Sequence, residues 1–170
     1  MERVGDVKRL EFKEFYQASQ DPCLRAVLVT VGDQQLAEDL VAEAFTRAWM
    51  AWSKVGRHPA PRAWIVRTAL NTRISWWRRR RREVALDGAA DVAAGSVGDP
   101  GLDPALLAVL RQLPQRQREV IAYRVFLDLD TATTATVLGI APGTVTAHLS
   151  RAIATLRGHL VTVEAPEVGR

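Results

Sequence analysis

Apolar residues recur at three- and four-residue intervals along most of the chain, the spacing of one face of an α-helix. Leu10, Phe12 and Phe15, then Leu24, Val27, Leu28 and Val31, form the first such stripe. Gly32-Asp33 breaks it, and a second helix is expected to open near Asp33 or Gln34. Its buried face would be Leu36, Leu40, Ala44, Phe45, Ala48 and Trp49. Gly56 and the Pro59/Pro61 pair end that helix in a loop, and Pro61 suits the first turn of a third. The third carries Trp64, Ile65, Thr68, Ala69, Thr72 and Trp76 and runs into Arg78-Arg79-Arg80-Arg81-Arg82.

Beyond residue 104 the period returns in shorter pieces. Leu113-Pro114 closes one helix, and Gln115 to Glu119 opens another with Val120, Ile121, Val125 and Phe126 as apolar positions. Asp130-Thr131 reads as the N-cap of a helix through Ala135, Val137 and Leu138, which Gly139 stops. Ala141-Pro142-Gly143-Thr144 then starts a helix with Val145, Leu149, Ala152 and Leu156 facing inward. Two helices across a Gly-containing turn describe a helix-turn-helix. The outward N-terminal face of its second helix presents Gly143, Thr144, Thr146, Ala147, Ser150 and Arg151, with His148 at the flank. Small and polar residues there permit close approach to base edges. No segment alternates as a strand does, so the pattern predicts an all-α protein.

Between the two helical stretches the chain changes character. Asp87 to Pro104 is punctuated by Gly, Pro and Asp, without aromatic residues or a sustained apolar period, and reads as an acidic linker. The expected organisation is a helical domain over 1–86, a linker over 87–103, a helix-turn-helix domain over 104–163 and a tail over 164–170. Charge follows the same boundaries: 16 basic against 10 acidic residues over 1–83, four Asp and no base over 84–104, and seven Arg against five acids over 105–170. Arg supplies 20 of the 23 basic residues, which favours planar, bidentate contact with phosphate or base edges.

The arginine run sweeps about 500° around a helix axis, so it forms a collar rather than a stripe. One or two cations would complement a helix C-terminus; five repel one another and call for an external polyanion. All five tryptophans lie between 49 and 77. Trp49 and Trp64 fall on the apolar phase and are expected in the core, whereas Trp76 and Trp77, being adjacent, cannot both be buried. The three histidines, His58, His148 and His159, show no metal-like spacing, and no phosphate loop or nucleophile motif is present. No enzyme, metal or cofactor is therefore expected. A single cysteine, Cys23, excludes a disulfide framework and reads as a small core residue. No run is long and apolar enough to span a bilayer and the N-terminus lacks a signal-peptide core, which together suggest a soluble cytoplasmic protein.

The ordered motifs resemble the group 4, or extracytoplasmic-function, sigma factors of bacterial RNA polymerase, most closely an actinobacterial type. Ala37 to Phe45 followed by Arg47-Ala48-Trp49 is similar to the clamp-binding part of region 2. Pro61 to Arg67, through Asn71 to the arginine run, resembles the −10 recognition and melting part. Leu113 to Val120 resembles the opening of region 4, and Gly143-Thr144-Val145 through Leu156-Arg157 its −35-reading helix.

The resemblance implies promoter-specific transcription initiation, with core RNA polymerase (β′ clamp and β flap) and promoter DNA as partners, an anti-sigma factor as a further one, and no membrane insertion. Core docking would fall to Asp39, Leu40, Glu43, Phe45 and Arg47. The −10 element would meet Arg62, Arg67, Asn71, Arg73, Trp77 and Arg78, Arg79, Arg80, Arg81 and Arg82. The −35 element would meet Arg116, Arg118, Gly143, Thr144, Thr146, Ala147, His148, Ser150 and Arg151. A linker of about 18 residues reaches ~60 Å, which matches a spacer of about 17 base pairs at ~58 Å.

Two positions depart from the family. Ala42 stands where Gln is usual, which is expected to weaken the clamp contact. Thr133-Thr134-Ala135 stands for Glu-Ile-Ala. Thr134 puts a hydroxyl at an apolar site, and bonding it to the carbonyl four residues back would give a tolerated but softer helix-turn-helix. An ordinary helix-turn-helix regulator would explain only residues 104–160; a sigma-like protein that binds polymerase or anti-sigma factor without initiating is the other alternative.

Overall fold

A computed structural model describes residues 2–84 and 101–164. Residues 87–100 of the expected 87–103 linker, and the tail beyond Glu164, lie outside the described residues. Within them the regular structure is helical. The first unit comprises α1 (Glu2–Val31), α2 (Gln34–Met50), a short α3 (Trp52–Val55) and α4 (Pro61–Val84). The second comprises α5 (Pro104–Gln112), α6 (Gln115–Ile121), a π-helical turn (Ala122–Phe126), α7 (Thr131–Leu138) and α8 (Pro142–Glu164).

Helix starts follow their caps. The Asp33 carboxylate accepts from the Leu36 N–H at 2.9 Å to open α2, a cap of about 1 kcal/mol. Asp103 and Asp130 do the same for α5 and α7. Gly32, at φ +76°, ends α1, and any Cβ there would lie 3.3 Å from Cγ of Arg111. A left-handed turn and a crowding side chain thus both demand glycine.

α1 runs through Pro22 without ending. A proline inside a helix deprives the carbonyl four residues back of its donor. That carbonyl, on Ala18, instead accepts from Nη2 of Arg62 at 2.7 Å, while Nε of Arg62 donates to Oγ of the buried Ser19 at 3.1 Å. An arginine at the start of α4 therefore repairs the proline gap and ties the two helices together.

The core of the first unit contains Val27, Leu28, Leu40, Phe45, Trp52, Val55, Ile65 and Val66. Phe12 and Phe15 pack on Trp52 with ring centroids 5.2 and 5.1 Å away. Trp49 does not take the buried place its phase predicts: it is 36% exposed under the Lys8 ammonium, and Trp52 occupies the interior. Cys23 is fully buried, as expected, and burial pushes its thiol up to about 12. The helix-turn-helix core is Val120, Ala135 and Val145, with Leu138, Ile140 and Leu149 packed on it.

The two units, joined through the linker, also pack on one another. Ala122, Tyr123 and Leu127 of the second lie in the core of the first, and Val29 of α1 lies among Leu110, Leu113, Ile121 and Ala152 of the second. Burial, then the Glu119 carboxylate, drives the Tyr123 phenol well above its usual range, so it stays neutral.

Candidate nucleic-acid interface

α4 buries Ala63, Ile65, Val66, Ala69 and Thr72 and leaves Arg67, Asn71, Ile74 and Trp77 exposed. Arg67, Asn71, Ile74 and Arg78 recur at three- and four-residue steps, so they share one face. Trp77 is the surface member of the adjacent tryptophan pair at 55% exposure, while Trp76 packs on the core. Arg78, Arg79, Arg80 and Arg82 are exposed on the last turns of α4, and no ion pair joins them to an acid among the described residues; the side chain of Arg81 lies outside them. Arg62 differs from its expected place in this set, because its guanidinium is bound to Ala18 and Ser19.

Arg73 and Trp77 face the second unit. With Thr30, Leu70, Ile74 and Arg78 they line a cleft of about 470 Å³, whose other wall holds Gln115 and Glu119 of α6. Arg118 lies close enough to Arg73 that, after burial, this like charge lowers its proton affinity. Arg118 donates to Oε1 of Gln115 at 2.7 Å, and its buried Nε has no partner. It is thus turned toward α4; by sequence it is expected in the −35 set. Arg116 is exposed and paired with Glu119 at 2.9 Å.

The helix-turn-helix forms as its sequence predicts. Gly139 takes the left-handed conformation at φ +65° that ends α7, and α8 packs across α6 and α7. Val145 and Ala152 are buried, whereas Gly143, Thr144, Thr146, Ser150 and Arg151 are exposed and Ala147 and His148 half-buried. Nδ1 of His148 is buried without a partner. The Thr146 hydroxyl donates to the Pro142 carbonyl at 3.2 Å, leaving its oxygen lone pairs outward.

Thr134 corrects one expectation. It is fully buried, and Oγ1 has no hydrogen-bond partner. The back-bond to the carbonyl four residues earlier, made by Thr30, Thr72 and Thr136, is missing here. Only the Thr134 amide reaches Asp130 O, at 3.0 Å.

A further surface lies on α2. Asp39, Ala42 and Arg47 are exposed and Glu43 half-buried; Arg47 Nε pairs with Glu43 at 2.9 Å and Gln35 donates to Asp39 at 3.1 Å. Leu40 and Phe45, named with them from sequence, are core residues at 0% and 4% exposure. They support this face from beneath. Ala42 leaves a notch of about 90 Å³ bounded by Tyr16, Gln20, Leu24, Glu38, Val41 and Phe45.

Known proteins share this plan. Residues 15–83 match the family model described as Sigma-70 region 2, and residues 104–156 the model described as Sigma-70, region 4. The chain is 35% identical over 160 residues to the RNA polymerase sigma-E factor of Streptomyces coelicolor, covering 93% of this chain and 89% of that protein. It is 36% identical over 140 residues to the ECF RNA polymerase sigma factor SigL of Mycobacterium tuberculosis, covering 78% and 79%. In fold it resembles the sigma factor RpoE from Bartonella quintana, solved with the anti-sigma factor NepR: TM-score 0.71, 23% identity, 91% and 98% coverage.

Proposed function

The chain belongs to the sigma-70 family, in its extracytoplasmic-function group, and from that membership we propose how its surfaces divide the work of starting transcription. It binds core RNA polymerase and directs it to promoters. The observation that carries this reading is the pairing, in family order, of a region 2 helix with exposed arginines on its last turns and a region 4 helix-turn-helix whose reading face is open.

The face of α2 with Asp39, Glu43 and Arg47 docks on the polymerase clamp. The exposed residues of α4, Arg67, Asn71, Trp77 and the arginine collar, hold the −10 strand. Capture of an unstacked base against Trp77 offsets the few kcal/mol that unpairing costs, and the collar neutralises phosphates. Gly143, Thr144, Thr146, Ser150 and Arg151 enter the major groove of the −35 element, with Arg151 able to chelate a guanine. An anti-sigma factor is a regulatory partner. The protein acts in the cytoplasm, beside the polymerase, and contributes binding energy rather than catalysis.

Run-off transcription of fragmented genomic DNA by core polymerase, with and without the protein, tests this. New transcripts sharing two motifs about 17 base pairs apart are expected. Arg151→Ala should cost about 1–3 kcal/mol of −35 duplex affinity and leave core affinity unchanged. A stable complex with core that yields no transcript would refute initiation; loss of core affinity in Arg151→Ala would refute the division of labour.

A further inference from the structure

α4 carries an apolar strip that the fold leaves half open. Leu70, Ile74 and Trp77 follow one another at helical spacing, and Ile74 and Trp77 stay 52% and 55% exposed although all three line the 470 Å³ cleft. Concave sites of about 300–1,000 Å³, with apolar walls and a few fixed polar groups, are the usual seats of small molecules. The fixed groups here are mostly cationic. Arg73 and Arg78 belong to the same lining, and Arg118 is tied to a third lining residue by the bond it donates to Gln115 at 2.7 Å. None of these arginines makes an ion pair among the described residues. Arg73 and Arg118 stand close enough to repel, and Nε of Arg118 is buried without a hydrogen-bond partner. Glu119, the acid of the lining, is already engaged by Arg116 at 2.9 Å. The Thr30 hydroxyl is spent on the Ala26 carbonyl at 2.9 Å, so α1 brings no free donor to the cleft.

We propose that this cleft is a binding site for a small planar anion, an aromatic ring system carrying one carboxylate or sulfonate. The rings lie along Leu70, Ile74 and the indole of Trp77 and cover apolar surface that water now touches. The acid group meets Arg73, with Arg78 beside it, in charge-assisted bonds. A flat body suits the site because indole and guanidinium both offer flat faces. A bare phosphate would leave the strip uncovered, and a neutral hydrocarbon would leave the arginines without a counter-charge. Glu119 on the α6 wall disfavours a second negative charge on the ligand. Arg73, Trp77 and Arg78 are also assigned above to the −10 strand, so on that promoter reading an occupied cleft and a bound −10 strand exclude each other. The site itself stands without that reading.

Fluorescence titration of the full chain with anilinonaphthalene sulfonate, beside its uncharged relative phenylnaphthylamine, tests this. The sulfonate is expected to saturate one site per chain and to bind about tenfold more tightly than the amine, the factor that one charge-assisted hydrogen bond supplies. Ile74→Trp, which fills the cleft from an exposed position, should abolish binding of both probes. Arg73→Gln should bring the sulfonate down to the affinity of the amine and leave the amine unchanged. Glu119→Gln should tighten the sulfonate alone; a loosened fold would instead bind both probes better, so this gain keeps the test clear of misfolding. Several weak sites, equal affinity for the two probes, or sulfonate binding unaltered in Ile74→Trp would each overturn the proposal. Saturating sulfonate should also displace a labelled single-stranded −10 oligonucleotide taken from the run-off transcripts. One-site binding as described, with the oligonucleotide undisplaced or never bound, upholds the cleft and refutes the assignment of Arg73 and Trp77 to the −10 strand.

Discussion

Replacing Thr134 by Val removes a buried hydroxyl that has no partner and keeps the shape of the side chain. Thr134 is fully buried in α7, and its oxygen makes none of the back-bonds that other helical threonines in the chain make. An unsatisfied hydroxyl inside a protein costs about 1–3 kcal/mol. Val and Thr have similar helix propensity, so the backbone term cancels. The variant should thus gain about 1–2 kcal/mol. If the docked units unfold together, that is a rise of roughly 2–8 °C in Tm for a chain of this size.

Two companions separate the contributions. Thr134→Ser keeps the hydroxyl and deletes a methyl, so it should lose about 1 kcal/mol. Thr134→Ala deletes both and should fall near wild type. Urea unfolding followed by circular dichroism, with an unchanged slope, gives all three numbers. A Thr134→Val variant no more stable than wild type would show that the hydroxyl is satisfied in solution, and the reasoning would fail.

Two other substitutions address the first unit. Arg62→Ala leaves the Ala18 carbonyl without its donor beside Pro22; a loss of about 1.5–3 kcal/mol is expected by the same unfolding assay, and full stability would show that water serves Ala18 equally well. Arg79→Ala with Arg80→Ala should lessen the dependence of promoter binding on log salt by about 0.7–0.9 per phosphate contact removed; an unaltered slope in a salt titration would make the collar only a solvated helix end.

The helices and the helix-turn-helix were legible because their signals are local: three- and four-residue apolar spacing, Asp33 and Asp130 caps, Gly32 and Gly139 stops. Docking of the units was not, because Val29 sits inside an apolar run and nothing in the run says that one of its members serves another core. Arg62 was assigned by its charge, whereas its partner is a carbonyl left free by a proline 40 residues earlier, a pairing only the fold reveals. Trp52 rather than Trp49 fills the core because α2 ends at Met50 and α3 turns Trp52 inward beneath Phe12 and Phe15. Leu40 and Phe45 carry motif positions yet lie in the core, so a motif marks a face without marking which of its members touch.

The shared helix has a consequence for how the two units stay together. A contact between two parts of one polypeptide obeys no dilution law: the parts meet at an effective concentration in the millimolar range, set by the chain between them. An interface too feeble to hold separate fragments together can then still keep the two units packed in most molecules. The packed fraction would be the same in a cell that makes ten copies as in one that makes ten thousand.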